Sequence, residues 1–519
     1  MSTTVTFPEE YKGDVRLIVA ASGILSAREL EITGETYDAT SLAAEIAKGT
    51  YSAVETVTAF CKRAAICQQL CNALTEICFA EAIEKAKKLD DHFNTTGRTV
   101  GPLHGLPMTF KECFHVKGYD ASNGYISRCF EPSTTTTPVI QVVEKAGAVV
   151  IAKTNVPQTM LVAECENNVF GRTKNPVVSH LSCGGSSGGE GALSAFRGNA
   201  LGIGTDVGGS IRLPAAFNGV YGYKPSIGIL PFIGYAASGW TGVNTGIPAV
   251  LGPLAHSIRD MKLLTETVRA TQPWLFDPAV IPGAMEQQPP AAKEKPIVGI
   301  LTQSGVTPHP PVLRAIASAK SKLEAAGFET RDFTPHAPSF SAIREISAQL
   351  FTVDGASYPR RELAKAGEPV VSSVVKFGFW DMPRKTHEEM WAWNTRKGEM
   401  QKRMLDAWQV LGIDVLVCPA APHAAISPEE TTKELYTVVW NAVDYPAIIM
   451  PFTKVDPAID LKNDAFEPKD ELDKKIQALY DPELMAGAPV SLQLVAPRLQ
   501  DAALLRYAED LDKVLNGGD

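Results

Sequence analysis

The chain has 519 residues, of which 45% are hydrophobic and 21% charged; 49 Lys plus Arg face 58 Asp plus Glu, a net charge of −9. That balance excludes a disordered or fibrous chain. A mildly acidic sequence without a basic block argues against nucleic acid as the main partner.

The opening MSTTVTFPEEYKGD has no basic stretch leading into an apolar core, so no secretory signal is expected. The apolar run Val15–Leu25 contains Arg16, Ser22 and Gly23 and falls short of the roughly 20 residues a membrane span requires. Periodicity near 3.6 predicts helices over Thr40–Lys48 and Ser52–Lys88, with Ser52 and Glu55 at capping-box spacing. Cys61, Cys67, Cys71 and Cys78 lack the tight pairing of a zinc site and read as buried thiols on that second helix. Reduced thiols point to the cytoplasm, although Asn94-Thr95-Thr96 is a glycosylation sequon. Pro138–Gly147 reads as a helix with a glycine stop, followed by a strand in AVVIAK.

Residues 153–255 are rich in Gly, Ser, Asn and Pro and have few long periodic runs. A connector is expected at Glu286–Pro296. Strand IVGIL, a helix over Leu313–Ala326 with Gly327 as its stop, and strand FETRDF then form a βαβ pattern. Further strands are expected at Ile413–Cys418 and Val490–Val495. The aromatics of Phe377–Trp393 suit core packing, or the mouth of an apolar channel. Alternating strands and helices predict an α/β fold on a mixed sheet.

The chemistry concentrates in CGGSSGGEGALSAFRGNALGIGTDVGGSIRLPAAFNGVYGYKP, residues 183–225. Two glycine-rich loops each present serine. Neither loop carries the lysine of a phosphate-binding GxxxxGK[ST] motif. The nine histidines form no cluster suited to a metal or to a Ser–His pair and read as structural or surface groups. A serine nucleophile without histidine needs another base, and a lysine serves if burial keeps it neutral. Lys111, in GLPMTFKE after an apolar run, is the candidate; a structural, snorkelling lysine is the alternative.

GGSSGGEGAL with GIGTDVGGSIRLPAAFNGVYGYKPS resembles the signature of the amidase signature family of serine hydrolases. GLPMTFKE resembles the family's lysine motif, AKTNVPQTM its substrate-cleft segment, and APVSLQLVAPRLQDAALL its closing strand and helix. The resemblance spans roughly residues 40–510. It implies a central mixed twisted β-sheet covered by helices on both faces, in one domain over 1–519. Within that domain it implies a helical part to about 92, the signature core over about 93–270 and the rest of the sheet and cleft cover beyond. It implies a Ser–cis-Ser–Lys triad with Lys111 as base, Ser186 as bridge after Gly185 and Ser210 as nucleophile. The N–H groups of Val207, Gly208, Gly209 and Ser210 match its oxyanion hole, and Met160 a residue beside the substrate. Ser187 matches a serine that orients the lysine, and Asp206 and Arg212 match polar residues that brace the nucleophile loop. Glu112 stands where many members have Asp.

The activity so implied is hydrolysis of a small-molecule amide in the cytoplasm, as in acetamidases and fatty-acid-amide-hydrolase-like members, with no cofactor and no metal. Ester or carbamate cleavage on the same triad is the alternative, and an amidotransferase subunit a more distant one. A homodimer is compatible with this reading.

Overall fold

The structure, a computed structural model, describes residues 13–240, 242, 245–285, 295–430, 432, 436–463 and 465–517. Its strands in chain order are β1 (Leu74–Ile77), β2 (Pro107–Lys111), β3 (Val149–Thr154), β4 (Glu166–Asn167), β5 (Gly171–Arg172), β6 (Leu201–Asp206) and β7 (Tyr221–Lys224). They continue with β8 (Val250–Ala255), β9 (Val298–Ile300), β10 (Thr330–Asp332), β11 (Val415–Pro419), β12 (Ala447–Lys454) and β13 (Pro489–Val495). Eleven strands build one sheet in the order β1-β3-β2-β6-β8-β7-β12-β13-β11-β9-β10, and β4 and β5 pair as a separate ribbon.

The sheet is mixed. β3, β2 and β6 run parallel, as do β11, β9 and β10, whereas β8, β7, β12 and β13 pair with their neighbours in antiparallel fashion. Every residue of β2, β3, β6, β8, β11 and β13 is buried. Successive strand residues point to opposite faces, so burial of all of them requires helices on both sides.

The expected capping box is present: Ser52 Oγ accepts from Glu55 N at 3.0 Å, and the Glu55 carboxylate accepts from Ser52 N at 3.0 Å. The single helix expected over Ser52–Lys88 is corrected to two. The first, Ala53–Cys71, stops at Asn72, whose backbone turns left-handed (φ 55°). Strand β1 follows, antiparallel to β3, and the second helix is Phe79–Thr96. Cys78 therefore caps the second helix instead of sharing a face with Cys67 and Cys71. Apolar period alone does not distinguish a short strand between helices from a continuous helix.

The helix Pro138–Lys145 precedes β3 as expected. The helix Pro310–Ala325 joins β9 to a parallel β10, completing the βαβ unit. Most of the expected connector, residues 286–294, lies outside the described residues. The aromatic segment divides: Phe377 is buried beside Val162 and Val374, whereas Trp391 is 61% exposed on the long helix His387–Leu411. No described helix is long and apolar enough to cross a membrane.

One buried ion pair ties β3 and the edge strand β1 to the end of β2. Lys153 Nζ lies 3.2 Å from Glu112 Oε2, with both side chains inaccessible to solvent. Glu112 also accepts from Thr75 Oγ1 (2.6 Å) and from the N and Oγ of Ser122 (both 2.8 Å), while Lys153 donates to the Asp120 carbonyl. Removing one partner strands a buried charge. Glu112→Ala is expected to destabilise the fold by about 3–5 kcal/mol, read as a lower urea midpoint at an unchanged m-value. An unshifted midpoint would show that the pair contributes nothing to the fold.

Candidate active site

Lys111 is the last residue of β2, so the strand carries it into the interior. Alternation places Thr109 and Lys111 on the same face. Lys111 is fully buried, and its Nζ donates to Ser186 Oγ at 2.7 Å and to Thr205 Oγ1 at 2.9 Å. Burial pushes the Lys111 ammonium down to about 8, against the weaker pull of nearby groups such as Cys113 and Asp206. No carboxylate bonds it among the described residues; its contacts are hydroxyls.

Ser186 follows a cis peptide bond after Gly185. A side chain at Gly185 would run into the backbone of Glu164, which explains the glycine. Ser187 N donates to the Ser210 carbonyl (3.0 Å), joining the two glycine-rich loops. The Ser187 hydroxyl lies 3.3 Å from both the carbonyl and the N of Thr205. It therefore reaches the lysine through Thr205, whose hydroxyl holds Lys111.

β6 delivers the second loop. Asp206, at the end of β6, accepts from Gly209 N (2.9 Å) and Ile211 N (3.1 Å) and from Arg212 Nε (3.0 Å) and Nη2 (2.9 Å). Arg212 also donates to the Thr437 carbonyl (2.8 Å), Gln493 Oε1 (2.9 Å) and Asn441 Oδ1 (2.6 Å). Burial acts to raise the Asp206 pKa, but the Arg212 charge and its hydrogen bonds outweigh it and hold the carboxyl well below the usual range. The loop between them bends at Gly209 (φ 133°), where a side chain would collide with Thr437. Asp206 thus takes up the Gly209 N–H, one of the four donors expected for the oxyanion hole, while Val207, Gly208, Gly209 and Ser210 all line the cavity. Among the described residues no hydrogen bond links Ser210 directly to Ser186.

A cavity of about 60 Å³ opens over Ser210, lined by Met160, Leu161, Val162, Phe351, Phe377 and Val438 among others. Five of its lining residues also line a larger vestibule of about 440 Å³. Phe377, Phe379 and Trp380 thus belong to the cleft walls, the channel alternative raised for that segment.

Three residues not singled out in the sequence complete the site. Thr205 is the second hydroxyl on Lys111. Glu190, fully buried, accepts from Thr109 Oγ1 (2.7 Å), Thr154 Oγ1 (2.9 Å) and Asn199 Nδ2 (3.2 Å), and burial pushes its carboxyl up to about 8. Asn441 bridges Arg212 and Asp206, its Nδ2 donating to Asp206 Oδ1 at 2.9 Å. Thr205 and Glu190 both lie in the glycine-rich stretch, Thr205 beside Asp206 and Glu190 inside GGSSGGEGAL, and that place was their signal; Asn441 lies 229 residues from Arg212 in sequence and carried none.

The Amidase family model matches residues 55–505. The chain belongs to the amidase signature family. It is 37% identical to an acetamidase of Aspergillus oryzae over 98% of this chain and 96% of that protein. It is also 37% identical to an acetamidase of Emericella nidulans, over 95% and 91%. A fatty acid amide hydrolase structure superposes with a TM-score of 0.90 at 29% identity, covering 97% of this chain and 89% of that one. The protein is accordingly an amidase, a hydrolase of amide C–N bonds.

In this amidase, Thr205→Val removes one oxygen from Lys111 while nearly keeping the side-chain shape. A buried donor that loses a partner costs about 1–3 kcal/mol, so kcat/KM is expected to fall about tenfold with the fold intact by circular dichroism. Unchanged kinetics would show that Ser186 alone positions the amine.

Proposed function

We propose that the amidase cleaves a carboxylic acid amide with a small apolar acyl group, giving the carboxylate and ammonia or an amine, through an acyl-enzyme on Ser210. The observation that carries the reading is a buried Lys111 whose Nζ meets only hydroxyls, 2.7 Å from the serine that neighbours the Ser210 loop. The narrow apolar cavity above Ser210 suits a short acyl group, and the acetamidase relatives agree with that size.

Neutral Lys111 takes a proton from Ser186, which takes one from Ser210 as the relay closes. The Ser210 Oγ attacks the carbonyl carbon, and its π electrons move onto oxygen. The N–H groups of Val207, Gly208 and Ser210 meet that oxyanion, each such donor contributing about 3 kcal/mol to catalysis. Collapse breaks the C–N bond, and the proton returns through Ser186 to the departing nitrogen. Water then repeats the attack on the ester and restores the Ser210 hydroxyl. Asp206 and Arg212 hold the loop, Ser187 holds Thr205, and Met160 forms part of the acyl wall. Esters and carbamates can enter the same acyl-enzyme route.

Ser210→Ala is expected to abolish turnover while the protein stays folded, and a fluorophosphonate probe to label Ser210 alone by peptide mapping. Labelling of Ser186 with Ser210 untouched would exchange nucleophile and bridge.

Lys111 acts as a base only when neutral, so activity is expected to rise with pH through about 8 and to fall below it as the lysine takes up its proton. Lys111→Ala is expected to lose this limb and about 10²–10⁴ in rate. It is also expected to slow an amide more than the ester of the same acid, because an amine leaves poorly unless protonated. Near-normal amide turnover by a folded Lys111→Ala enzyme would remove Lys111 from the mechanism.

A further inference from the structure

The vestibule adjoins a third and larger cavity, of about 880 Å³, and Ala237, Gly239, Trp240 and Tyr358 line both. Where the inner cavity is apolar, this outer one carries charge. The helix Ser357–Ala366 sets Tyr358, Arg361, Glu362 and Lys365 at spacings that share one face. Arg128 reaches the same wall from the turn Ile126–Arg128.

Three cations here meet one buried carboxylate. Glu362 lies 3.1 Å from Arg361, 2.9 Å from Lys365 and 3.5 Å from Arg128. The Glu362 side chain is only 2% exposed, whereas those of Arg361 and Lys365 are about half exposed. One carboxylate balances one of the three charges. Glu131, the other acid on this wall, makes no ion pair with them among the described residues. His115 also lines the cavity, and burial lowers its pKa, which favours the neutral ring.

The cations are held in place. The Arg361 guanidinium lies over the Trp240 ring at 4.1 Å, and Arg128 lies over Tyr125 at 5.3 Å and Tyr358 at 5.6 Å. The one acid lining the vestibule, Asp354, is already engaged by Ala356 N, Ser357 Oγ and Tyr358 N.

We propose that this outer cavity is a subsite for a carboxylate on the amine side of the substrate, so that the enzyme favours N-acylated amino acids over neutral amides of the same acyl group. A planar guanidinium matches a carboxylate in two-point geometry, and the lysine adds a mobile charge. The acyl group occupies the small cavity over Ser210, and the amine portion runs through the vestibule past Trp240 to Arg361 and Lys365. This inference rests on the amide-hydrolase reading above and names a substrate class for it.

The test uses the full-length enzyme and two series of N-acetyl amides, ω-aminoalkanoates and neutral alkylamines of matched length. The expected result is a kcat/KM preference of tenfold or more for the carboxylate at one chain length. It should be expressed in KM and weakened by salt, which screens half-exposed charges. Arg361→Ala with Lys365→Ala should shrink that preference about tenfold, and Arg361→Lys should restore part of it. Equal treatment of both series by the unaltered enzyme, or equal loss of both in the double variant, would overturn the proposal. Should the double variant fail to fold, the length and salt dependence of the unaltered enzyme decide. Hydrolysis of acetamide without any carboxylate preference sinks the subsite alone. No hydrolysis of acetamide or of either series sinks the small-acyl reading proposed above and this inference with it.

Discussion

The site depends on placing a lysine where water cannot reach it. Three lysines of this sheet are buried, and they meet three different fates. Lys153 keeps a carboxylate, Glu112, within ion-pair distance. Lys224 donates to the Pro225 carbonyl at 2.9 Å, and burial brings it to about 8. Lys111 is brought to the same range, but its acceptors are two hydroxyls. A carboxylate at that distance would keep the ammonium charged. Two hydroxyls tolerate the neutral amine, and one of them belongs to the loop that leads to Ser210. Chemistry is therefore set less by the lysine than by which oxygens surround it.

The nucleophile loop is held by the opposite arrangement, a charge pair that stays charged. Asp206 and Arg212 occupy the two ends of a tight turn and use nearly every donor and acceptor they have. Three of Arg212's partners, Thr437, Asn441 and Gln493, come from the C-terminal half of the chain. The glycine-rich loop carries Asp206 and Arg212, and the helix Val438–Ala442 with its cap Thr437, together with β13, fixes where they stand. A buried pair is a poor source of net stability. Here it fixes the geometry of the turn and takes up the Gly209 N–H.

Outward from Ser210 the cleft changes character in steps. The walls are aliphatic and aromatic over the serine, mixed in the vestibule, and cationic beyond Trp240. The carboxylate subsite proposed above rests on this gradient. The aromatics Phe377, Phe379 and Trp380 serve as packing and as wall at once, which is why the two readings of that segment were not exclusive.

The sequence by itself determined the family, the α/β class and strands β3, β9, β10, β11 and β13, and it nominated Lys111, Ser186 and Ser210 as the triad. These lie in short glycine-rich or apolar stretches whose residue types are constrained by local geometry. The capping box at Ser52 and the βαβ unit of β9 and β10 were legible for the same reason, because their signals span only a few residues. Tertiary structure alone decided the rest. Strand β1 interrupts what reads as one helix, because pairing with β3 outweighs a period that either element could satisfy. Thr205 became a partner of Lys111, and Asn441 of Asp206, through contacts 94 and 235 residues apart in sequence. The cationic wall joins the turn at Arg128 to the helix of Arg361 and Lys365 in the same way. Local pattern records what a residue needs of its neighbours in the chain; it carries no record of which distant oxygen or charge the fold brings against it.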